Sequence, residues 1–452
     1  MLNERVFKAY DIRGIYPTEL DEEGIKAIAG AYAAYVKPKT VAVGRDVRPS
    51  SPDLQKAVIE GLTQVGVNVI DIGLVPSELL YFAVGSLDLD GGIQVTASHN
   101  TAEWNGLYLV KKDVEMCSGD SGLPEIKALA LANQQPMAVT VGQVEKRDLE
   151  PSYLEFLAKQ AEISNFKKLK IVANNNFGLT GPIARKLLAN LKVPAEIVEL
   201  NFKPDGSFPK GQPNPLLLEN RAETSEAIKK SRADLGVAWD ADGDRCYIAD
   251  ENGEFIEGCH LTAILAEYLL KKVPGQKVVY DPRNVWAVEE TVSNAGGVPL
   301  MNKAGHTFIK NRMKAENALF AGEMSGHFYF RDFYDADNGI LPFIYFLNII
   351  AATGKKASQI AQPFREKYFV SGEHNFKVAD INQAIATIQE KYPQGQLDQT
   401  DGLSLRFDTW RFNLRGSNTE PLLRLNVEAK DAATVSTKLA ELTALIQPLT
   451  TP

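Results

Sequence analysis

The chain has 452 residues, of which 44% are apolar and 23% are charged, the proportions of a globular protein of several domains. Its 57 acidic residues outnumber its 49 basic ones, and the net charge of −8 argues against a protein that wraps nucleic acid. The three cysteines have no metal-ligand spacing and are too few for a disulfide framework. The first residues lack the apolar core of a signal peptide, so we expect a cytoplasmic protein with no nucleic-acid or membrane partner.

Short apolar runs alternate with helical patterns from the N-terminus onward, which is typical of α/β layers. The first region contains a predicted strand over 40–44, a helix over 51–65 and a strand over 93–97. Asn105-Gly106 has the composition of a turn. A charged stretch without periodicity, 145–150, indicates the first domain boundary.

The second region has a strand over 169–173 and a helix over 180–191, and it closes with a buried strand over 235–239 and an acidic loop. A hairpin around Asn252-Gly253 introduces the third region. This region ends with an apolar run over 339–354, which is too short to span a bilayer comfortably and is predicted as a buried helix. The other elements predicted in the third region are helices over 261–272, 285–294 and 308–314 and strands over 277–280 and 318–321.

The pattern changes after residues 354–363. Predicted strands over 409–414 and 422–427 flank an Arg-Gly-Ser-Asn-Thr turn and precede a helix over 432–446, so this region is α+β with an antiparallel sheet. The sequence therefore predicts an α/β protein of four domains with bounds 1–147, 148–251, 252–363 and 364–452.

Three acidic residues at alternating positions, Asp240, Asp242 and Asp244, follow the strand over 235–239. Their carboxylates repel one another unless a hard cation lies among them, and ligation by a few oxygens suits Mg²⁺. Arg245 follows directly and can hold an anionic group beside such a metal. The segment therefore favours phosphate chemistry.

Two alternatives compete for this loop. An EF-hand calcium loop would place Asp240, Asp242 and Asp244 at positions 1, 3 and 5, but Arg245 stands where that motif needs glycine, and the flanks are strand-like. The second alternative is a solvated acidic turn without a ligand, because Asp-Gly pairs are ordinary turn formers.

Ser98 stands where the strand over 93–97 ends, in Thr-Ala-Ser-His-Asn, and is a candidate nucleophile or phosphate carrier. A hydrolase is disfavoured because the chain has no G-x-S-x-G elbow here and because His99, in extended chain, would point to the opposite side. Beside a magnesium loop, a phosphorylated Ser98 would give the metal a further oxygen.

Three further loops carry polar groups suited to a sugar phosphate. Glu323 and Ser325 can bind neighbouring hydroxyls, and Arg415 with the residues after it can form a nest for a phosphate. The segment 303–307 offers donors at a helix N-terminus, which favours anions. His99, His306 and His327, three of the five histidines, fall in these loops.

Together and in this order, these motifs resemble the α-D-phosphohexomutase family, most closely its bacterial phosphomannomutase/phosphoglucomutase branch. The resemblance runs from Phe7-Lys8-Ala9-Tyr10-Asp11-Ile12-Arg13-Gly14 to the Arg415-Gly416-Ser417-Asn418-Thr419-Glu420-Pro421 segment. It implies four domains around a central cleft: three similar α/β domains and a C-terminal domain like the TATA-box-binding protein. It also implies a mutase that interconverts hexose 1-phosphate and hexose 6-phosphate, mannose first, through a phosphoserine and a hexose 1,6-bisphosphate.

The resemblance further implies roles for individual residues. Ser98 would carry the phosphoryl group and, with Asp240, Asp242 and Asp244, would hold Mg²⁺. The implied catalytic residues besides Ser98 are His99, Arg13, Arg245 and His327. The implied substrate-binding residues are Tyr10, Arg283, His306, Glu323, Ser325, Arg415, Ser417, Asn418 and Thr419.

One position departs from the family pattern, because Tyr108 stands where the family usually has a lysine, ten residues after the serine. A tyrosine carries no positive charge at neutral pH. This leaves two alternatives open: a relative that transfers phosphate one way or hydrolyses its phosphoserine, and a sugar-phosphate-binding regulator of low turnover. The expected partners are small sugar phosphates, and the expected state is a monomer or a weak homo-oligomer.

Overall fold

The computed structural model describes residues 2–132, 138–163, 168–416 and 422–450. The chain forms two compact units. The first consists of Met1–Ile256 with Ser325–Ala357, and the second of Glu257–Met324 with Ser358–Pro452.

The first region of the first unit is built on a sheet of mixed direction, with strand order β1-β5-β4-β2-β3-β6. Strands β4, β2, β3 and β6 run parallel, and β5 pairs antiparallel with β4 and β1. The central parallel strands β2 and β4 are buried on both faces, whereas β6 at the edge of the sheet is exposed. The elements are β1 (Ile12–Ile15), α1 (Glu22–Val36), β2 (Thr40–Arg45), α2 (Ser51–Gln64), β3 (Asn68–Leu74), α3 (Ser77–Ser86), β4 (Gly91–Val95), β5 (Trp104–Lys111), α4 (Leu123–Ala132) and β6 (Val144–Lys146).

One local expectation for this region is wrong. The Asn105-Gly106 pair is not a turn but lies inside β5, since both residues pair with β1 and the Gly106 oxygen accepts a hydrogen bond from the Thr96 amide on the other side. A Cβ on Gly106 would lie 1.9 Å from the backbone oxygen of Ile12, so the glycine permits the close approach of β1. The charged stretch 145–150 contains part of β6, which joins the sheet beside β3.

The second region of the first unit has a four-stranded sheet of order β10-β9-β7-β8. Strands β7, β8 and β9 are parallel, whereas β9 and β10 form an antiparallel hairpin whose register pairs Trp239 with Cys246. The acidic loop is therefore the turn of a hairpin. The predicted hairpin at Asn252-Gly253 is reduced to one bridge, Ala249 to Phe255, because β10 has β9 as its regular partner. The elements are α5 (Glu150–Ala158), β7 (Leu169–Asn174), α6 (Thr180–Asn190), β8 (Ala195–Leu200), α7 (Leu218–Ser231), β9 (Leu235–Trp239) and β10 (Cys246–Asp250).

The third region of the chain contributes to both units. In the second unit, β11 pairs in parallel with β12 and with β13. In the first unit, β14 and β15 form a short antiparallel pair that leads into α11, whose first ten residues are all buried, as the apolar pattern predicts. The elements are α8 (Gly258–Lys272), β11 (Lys277–Tyr280), α9 (Trp286–Asn294), β12 (Val298–Met301), α10 (His306–Glu316), β13 (Phe320–Gly322), β14 (Phe328–Phe330), β15 (Ala336–Asp337) and α11 (Ile340–Thr353).

The last region belongs to the second unit and has an antiparallel sheet of order β16-β20-β19-β18-β17, as the sequence predicts. Its core is apolar and aromatic, with Phe412 and Leu425 fully buried. Helix α14 begins at an N-cap aspartate, Asp431, which accepts a hydrogen bond from the Thr434 amide. The elements are α12 (Ala357–Arg365), β16 (Phe369–Lys377), α13 (Ile381–Lys391), β17 (Gln396–Asp398), β18 (Leu403–Arg406), β19 (Trp410–Gly416), β20 (Leu422–Ala429) and α14 (Ala432–Ile446).

Short 3-10 helices supplement these elements at Glu4–Val6, Lys112–Val114, Arg331–Phe333 and Gln447–Leu449. Among the helices that the structure describes, none combines the length and the apolar character needed to cross a membrane. The predicted domain bounds at 147, 251 and 363 stay predictions.

Candidate active site

The loop after β4 holds Ser98 in a left-handed backbone conformation, with φ of 49°. Ser98 is buried, its amide donates to Thr96 Oγ1 over 2.9 Å, and its Oγ lies 3.0 Å from His99 Nδ1. The expectation that His99 points away from Ser98 is wrong, because it assumed extended chain and the left-handed residue turns the backbone. Burial and the nearby charges of Arg245 and Arg13 lower the pKa of His99, so this imidazole is neutral at neutral pH.

Arg48, which follows β2, holds the serine loop in place. Its guanidinium donates to the backbone oxygens of Ser98 (2.6 Å), Asn100 (2.8 Å) and Thr101 (2.6 Å). Asp46 fixes the guanidinium with an ion pair of 3.0 Å, and both side chains are fully buried. The sequence analysis missed this residue. An Asp-x-Arg segment directly after a parallel strand was the available signal, since such strand ends gather functional groups.

Arg13, on β1, reaches the same loop from the other side. It pairs with Asp11 over 2.8 Å and donates to the backbone oxygen of Ala97 and to the hydroxyl of Tyr108, each over 3.3 Å. Burial, and then the negative fields of Asp242 and Asp244, raise the pKa of Tyr108 well above its usual value. Tyr108 is therefore a neutral phenol, and the guanidinium of Arg13 is the positive charge beside it.

The acidic loop places Asp240, Asp242 and Asp244 in the β9–β10 turn, fully buried, with one carboxylate oxygen of each within 4.8 Å of the others. Asp242 Oδ2 accepts a hydrogen bond from Ser77 Oγ over 2.9 Å, whereas Asp240 Oδ2 and Asp242 Oδ1 have no hydrogen-bond partner among the described residues. Burial and mutual repulsion raise the pKa of Asp240 well above its usual value and that of Asp242 to about 7. Buried carboxylates with spare oxygens fit a hard divalent cation.

The hairpin around this loop overturns the EF-hand alternative, since antiparallel strands flank it where that motif needs two helices. The solvated-turn alternative is also wrong because the three carboxylates are buried. Glu78, a residue that the sequence analysis missed, adds a fourth buried acid. Neither of its carboxylate oxygens has a partner in the described part of the chain, and burial raises its pKa well above its usual value.

Arg245 and His327 form a pair across an isolated antiparallel bridge. Arg245 Nε lies 3.2 Å from His327 Nε2 and 3.4 Å from Asp240 Oδ2, and His327 Nε2 lies 3.5 Å from Asp244 Oδ1. Ser325 Oγ is 3.1 Å from His327 Nδ1. Besides burial, the charges of Arg245, Arg13 and Asp244 shift the pKa of His99, so the serine loop lies within electrostatic reach of the acidic loop.

The second unit contains the other candidate residues for sugar binding. Glu323, directly after β13, accepts a hydrogen bond from the Gly305 amide over 2.9 Å and lies 3.5 Å from Arg283 Nη2. Asp281 holds Arg283 with bonds of 2.8 and 2.9 Å. His306 is the buried first residue of α10, next to Gly305. The second unit therefore brings Arg283 and Glu323 together near the start of α10.

The remaining predicted residues are placed as follows. Arg415 is buried near the end of β19, 3.7 Å from both Glu373 and Asp401. Tyr10 is partly exposed in the segment that leads into β1. The predicted phosphate-binding residues Ser417, Asn418 and Thr419 lie outside the residues that the structure describes.

Comparison with known proteins places these features in one family. Models of the phosphoglucomutase/phosphomannomutase α/β/α domains I, II and III match residues 4–136, 151–253 and 257–368, and the model of the C-terminal domain matches 373–445. A phosphomannomutase of Salmonella montevideo is 43% identical over 95% of this chain and 96% of its own length. A protein of Xanthomonas campestris pv. campestris described as phosphohexose mutases is 44% identical over 98% and 99%.

A crystal structure of a Burkholderia thailandensis phosphoglucomutase/phosphomannomutase family protein has a TM-score of 0.89 and 28% identity. It covers 100% of this chain, which in turn covers 99% of it. The predicted four-domain α/β architecture is therefore confirmed. The alternatives of a one-way relative and of a binding regulator find no support in these comparisons.

Replacing Arg48 tests whether its ion pair with Asp46 and its hydrogen bonds to the serine loop are needed for the stability of the first unit. Arg48→Met leaves Asp46 as an unpaired buried carboxylate and should cost about 3–5 kcal/mol in the free energy of unfolding. Arg48→Lys keeps the charge but not the planar fork and should cost less. Urea unfolding followed by circular dichroism measures both.

The control for Arg48 is Arg185→Met, which removes a surface ion pair with Glu199 and should change stability little. If Arg48→Met were as stable as this control, the claim that Arg48 stabilises the first unit would be wrong.

Proposed function

Because the chain belongs to the phosphoglucomutase/phosphomannomutase family and is a hexose phosphate mutase, we propose that it interconverts mannose 1-phosphate and mannose 6-phosphate. Glucose phosphates are a second substrate pair to be tested. The proposal is carried by two loops of the first unit: Ser98 Oγ lies 3.0 Å from His99 Nδ1 after β4, and the carboxylates of Asp240, Asp242 and Asp244 are buried together in the β9–β10 turn.

In the proposed cycle, Ser98 carries the phosphoryl group. A sugar hydroxyl attacks the phosphorus, the Ser98 Oγ–P bond breaks as the sugar O–P bond forms, and the hydroxyl loses its proton. The product is hexose 1,6-bisphosphate, which turns around and returns its other phosphate to Ser98. His327 is held by Ser325 and Arg245 beside Asp244, and neutral His99 lies beside Ser98 Oγ, so both are candidates for moving these protons.

Asp240, Asp242 and Asp244, with an oxygen of phosphorylated Ser98, would hold Mg²⁺. When bound, Mg²⁺ supplies positive charge next to the phosphoryl group that is transferred. Arg245 and Arg13 extend that positive field from the protein side, Arg245 at the acidic loop and Arg13 at the serine loop. Arg48 keeps Ser98 in its left-handed conformation and so fixes the direction of its Oγ.

Substrate recognition in this proposal uses two sets of residues. Glu323 and Ser325 bind the sugar hydroxyls, and Arg283, His306 and Tyr10 are the further substrate-binding residues of the proposal. The phosphate that is not transferred is held by Arg415, Ser417, Asn418 and Thr419, and hexose 1,6-bisphosphate serves as activator. A cytoplasmic location and a monomer or weak homo-oligomer belong to the same proposal.

Ser98→Ala tests the covalent carrier. Purified protein with Mg²⁺, a trace of hexose 1,6-bisphosphate and mannose 1-phosphate should form mannose 6-phosphate, detected by ³¹P NMR. Ser98→Ala should lower kcat by about 1,000-fold or more because no other group takes the phosphoryl. Ser86→Ala, which removes a hydroxyl from the end of α3, is the matched control and should keep the native rate. Robust turnover by Ser98→Ala would rule out the carrier role.

The raised pKa values of Asp240 and Asp242 predict a pH-dependent response to Mg²⁺. In the metal-free protein, the stability that protonated Asp242 contributes below about pH 4 is lost as the pH rises towards its folded pKa of about 7. Binding of Mg²⁺ needs the ionised carboxylates. Mg²⁺ should therefore raise the melting temperature by several degrees at about pH 8 and far less at about pH 5.5.

Scanning calorimetry at the two pH values measures this response to Mg²⁺. Asp242→Asn should remove most of the Mg²⁺ effect at the higher pH. Equal shifts at both pH values would show that the triad is not the cation site.

Tyr108→Lys tests the departure from the family pattern. Arg13 already places a guanidinium 3.3 Å from the Tyr108 hydroxyl, so a second cation would add repulsion there and little new function. We expect kcat/KM to change by no more than about threefold. Tyr108→Phe, which removes only the hydroxyl, is the matched control. If Tyr108→Lys raised kcat/KM tenfold or more, Arg13 would not be replacing the lysine that the family usually has at this position.

A further inference from the structure

A group of seven charged side chains in the second unit is centred on the carboxylate of Glu373 on β16, whose side chain is only 8% exposed. Three of these side chains are arginines and four are acids, so the group has one more negative than positive formal charge. The group therefore offers a bound phosphate no excess of positive charge. The seven residues are Arg283, Arg415, Arg424, Asp281, Glu323, Glu373 and Asp401.

All three arginines converge on Glu373. Its Oε1 lies 3.3 Å from Arg424 Nη1, and its Oε2 lies 3.8 Å from Arg283 Nη1 and 3.7 Å from Arg415 Nη2. Oε2 accepts no hydrogen bond from the residues that the structure describes. The carboxylate therefore holds Arg283 and Arg415 through charge and not through hydrogen bonds. Burial alone would raise the pKa of Glu373, but the three arginines outweigh it and lower that pKa, so the group is ionised.

Arg415 is the arginine with most to offer a ligand. It lies 3.7 Å from Glu373 and 3.7 Å from Asp401, distances of ion pairs without close hydrogen bonds. Its Nε has no hydrogen-bond partner within the described ranges. A guanidinium held in this way is oriented in advance and still has donors for a phosphate.

We propose that Glu373 is the resident counter-ion of Arg415, the arginine that holds the phosphate. Together with Arg283 and Arg424 it positions Arg415 when no ligand is bound, and its charge opposes the phosphate that Arg415 later holds. This inference rests on the proposed function, in which a bisphosphate must leave Arg415 and return turned around. Like charges at one site lower affinity. Glu373 therefore limits how tightly the phosphate is held and keeps its exchange fast.

Glu373→Gln tests the counter-ion role, because the amide keeps the shape of the side chain and removes its charge. Binding of mannose 1-phosphate, measured by titration calorimetry without bisphosphate or turnover, should become about three- to tenfold tighter. KM should fall and kcat should fall with it, because release of the bisphosphate becomes slower. A purely structural ion pair would not move KM and kcat together in this direction. Unchanged or weaker binding by a folded Glu373→Gln protein would overturn the proposal.

The matched control is Glu289→Gln, which removes an ion pair with Arg406 in the same unit, outside the seven residues. It should leave the affinity for mannose 1-phosphate unchanged. The native protein separates the two ideas: if it binds neither mannose 1-phosphate nor glucose 1-phosphate, the proposed function fails. If it binds one of them and Glu373→Gln does not bind it more tightly, only the counter-ion role fails.

A double variant keeps the test decisive if Glu373→Gln alone does not fold. Arg424→Gln removes the nearest cation from Glu373 and should weaken binding of mannose 1-phosphate about tenfold, because the uncompensated carboxylate opposes the phosphate more strongly. Arg424→Gln with Glu373→Gln removes both charges and should restore affinity to within about threefold of the native value. A double variant as weak as Arg424→Gln would show that Glu373 does not act through its charge.

Discussion

Like charges that are buried together impose the main constraint on the first unit. Asp240, Asp242 and Asp244 lie in one hairpin turn, away from water, and Glu78 adds a further buried acid near them. Ser77 and Arg245 offset part of the repulsion, by a hydrogen bond to Asp242 and an ion pair with Asp240. Four carboxylate oxygens, Asp240 Oδ2, Asp242 Oδ1 and both oxygens of Glu78, still have no hydrogen-bond partner within the described residues. A protein retains such an arrangement at a cost in stability, and a function that needs a divalent cation gives a reason for that cost.

The serine loop differs from the acidic loop. Hydrogen bonds that fix its backbone conformation, and not charge repulsion, determine its structure. Ser98 has a left-handed conformation that is uncommon for a residue with a side chain. Hydrogen bonds from Arg48 to three backbone oxygens and from the Ser98 amide to Thr96 hold it there. The geometry turns His99 towards the serine hydroxyl. One buried guanidinium, fixed by Asp46, thus decides where a hydroxyl on a neighbouring loop points.

In the second unit, the arginines of the charged group form ion pairs with acidic side chains. Arg283 has its closest ion pair with Asp281, while Glu373 is shared among three guanidinium groups at 3.3 to 3.8 Å. A site built for tight anion binding would carry a clear excess of positive charge. Near balance suits the proposed cycle, in which a bisphosphate intermediate is held during transfer and released for reorientation.

Periodicity and residue chemistry by themselves determined much of this protein. Apolar periodicity predicted strands β2, β7 and β9, the buried helix α11 and the antiparallel C-terminal sheet. It could do so because a strand or helix that buries an apolar face must carry a matching pattern of apolar residues. The acidic triplet and the order of the loops likewise led to the family. Only the tertiary structure decided the rest. Asn105-Gly106 lies in a strand because partners on both sides override a local turn preference, and Arg48, Glu78 and Glu373 gained their roles from neighbours distant in sequence. Contacts of that kind depend on which strand ends meet at one edge of a sheet. No local sequence pattern predicts this arrangement.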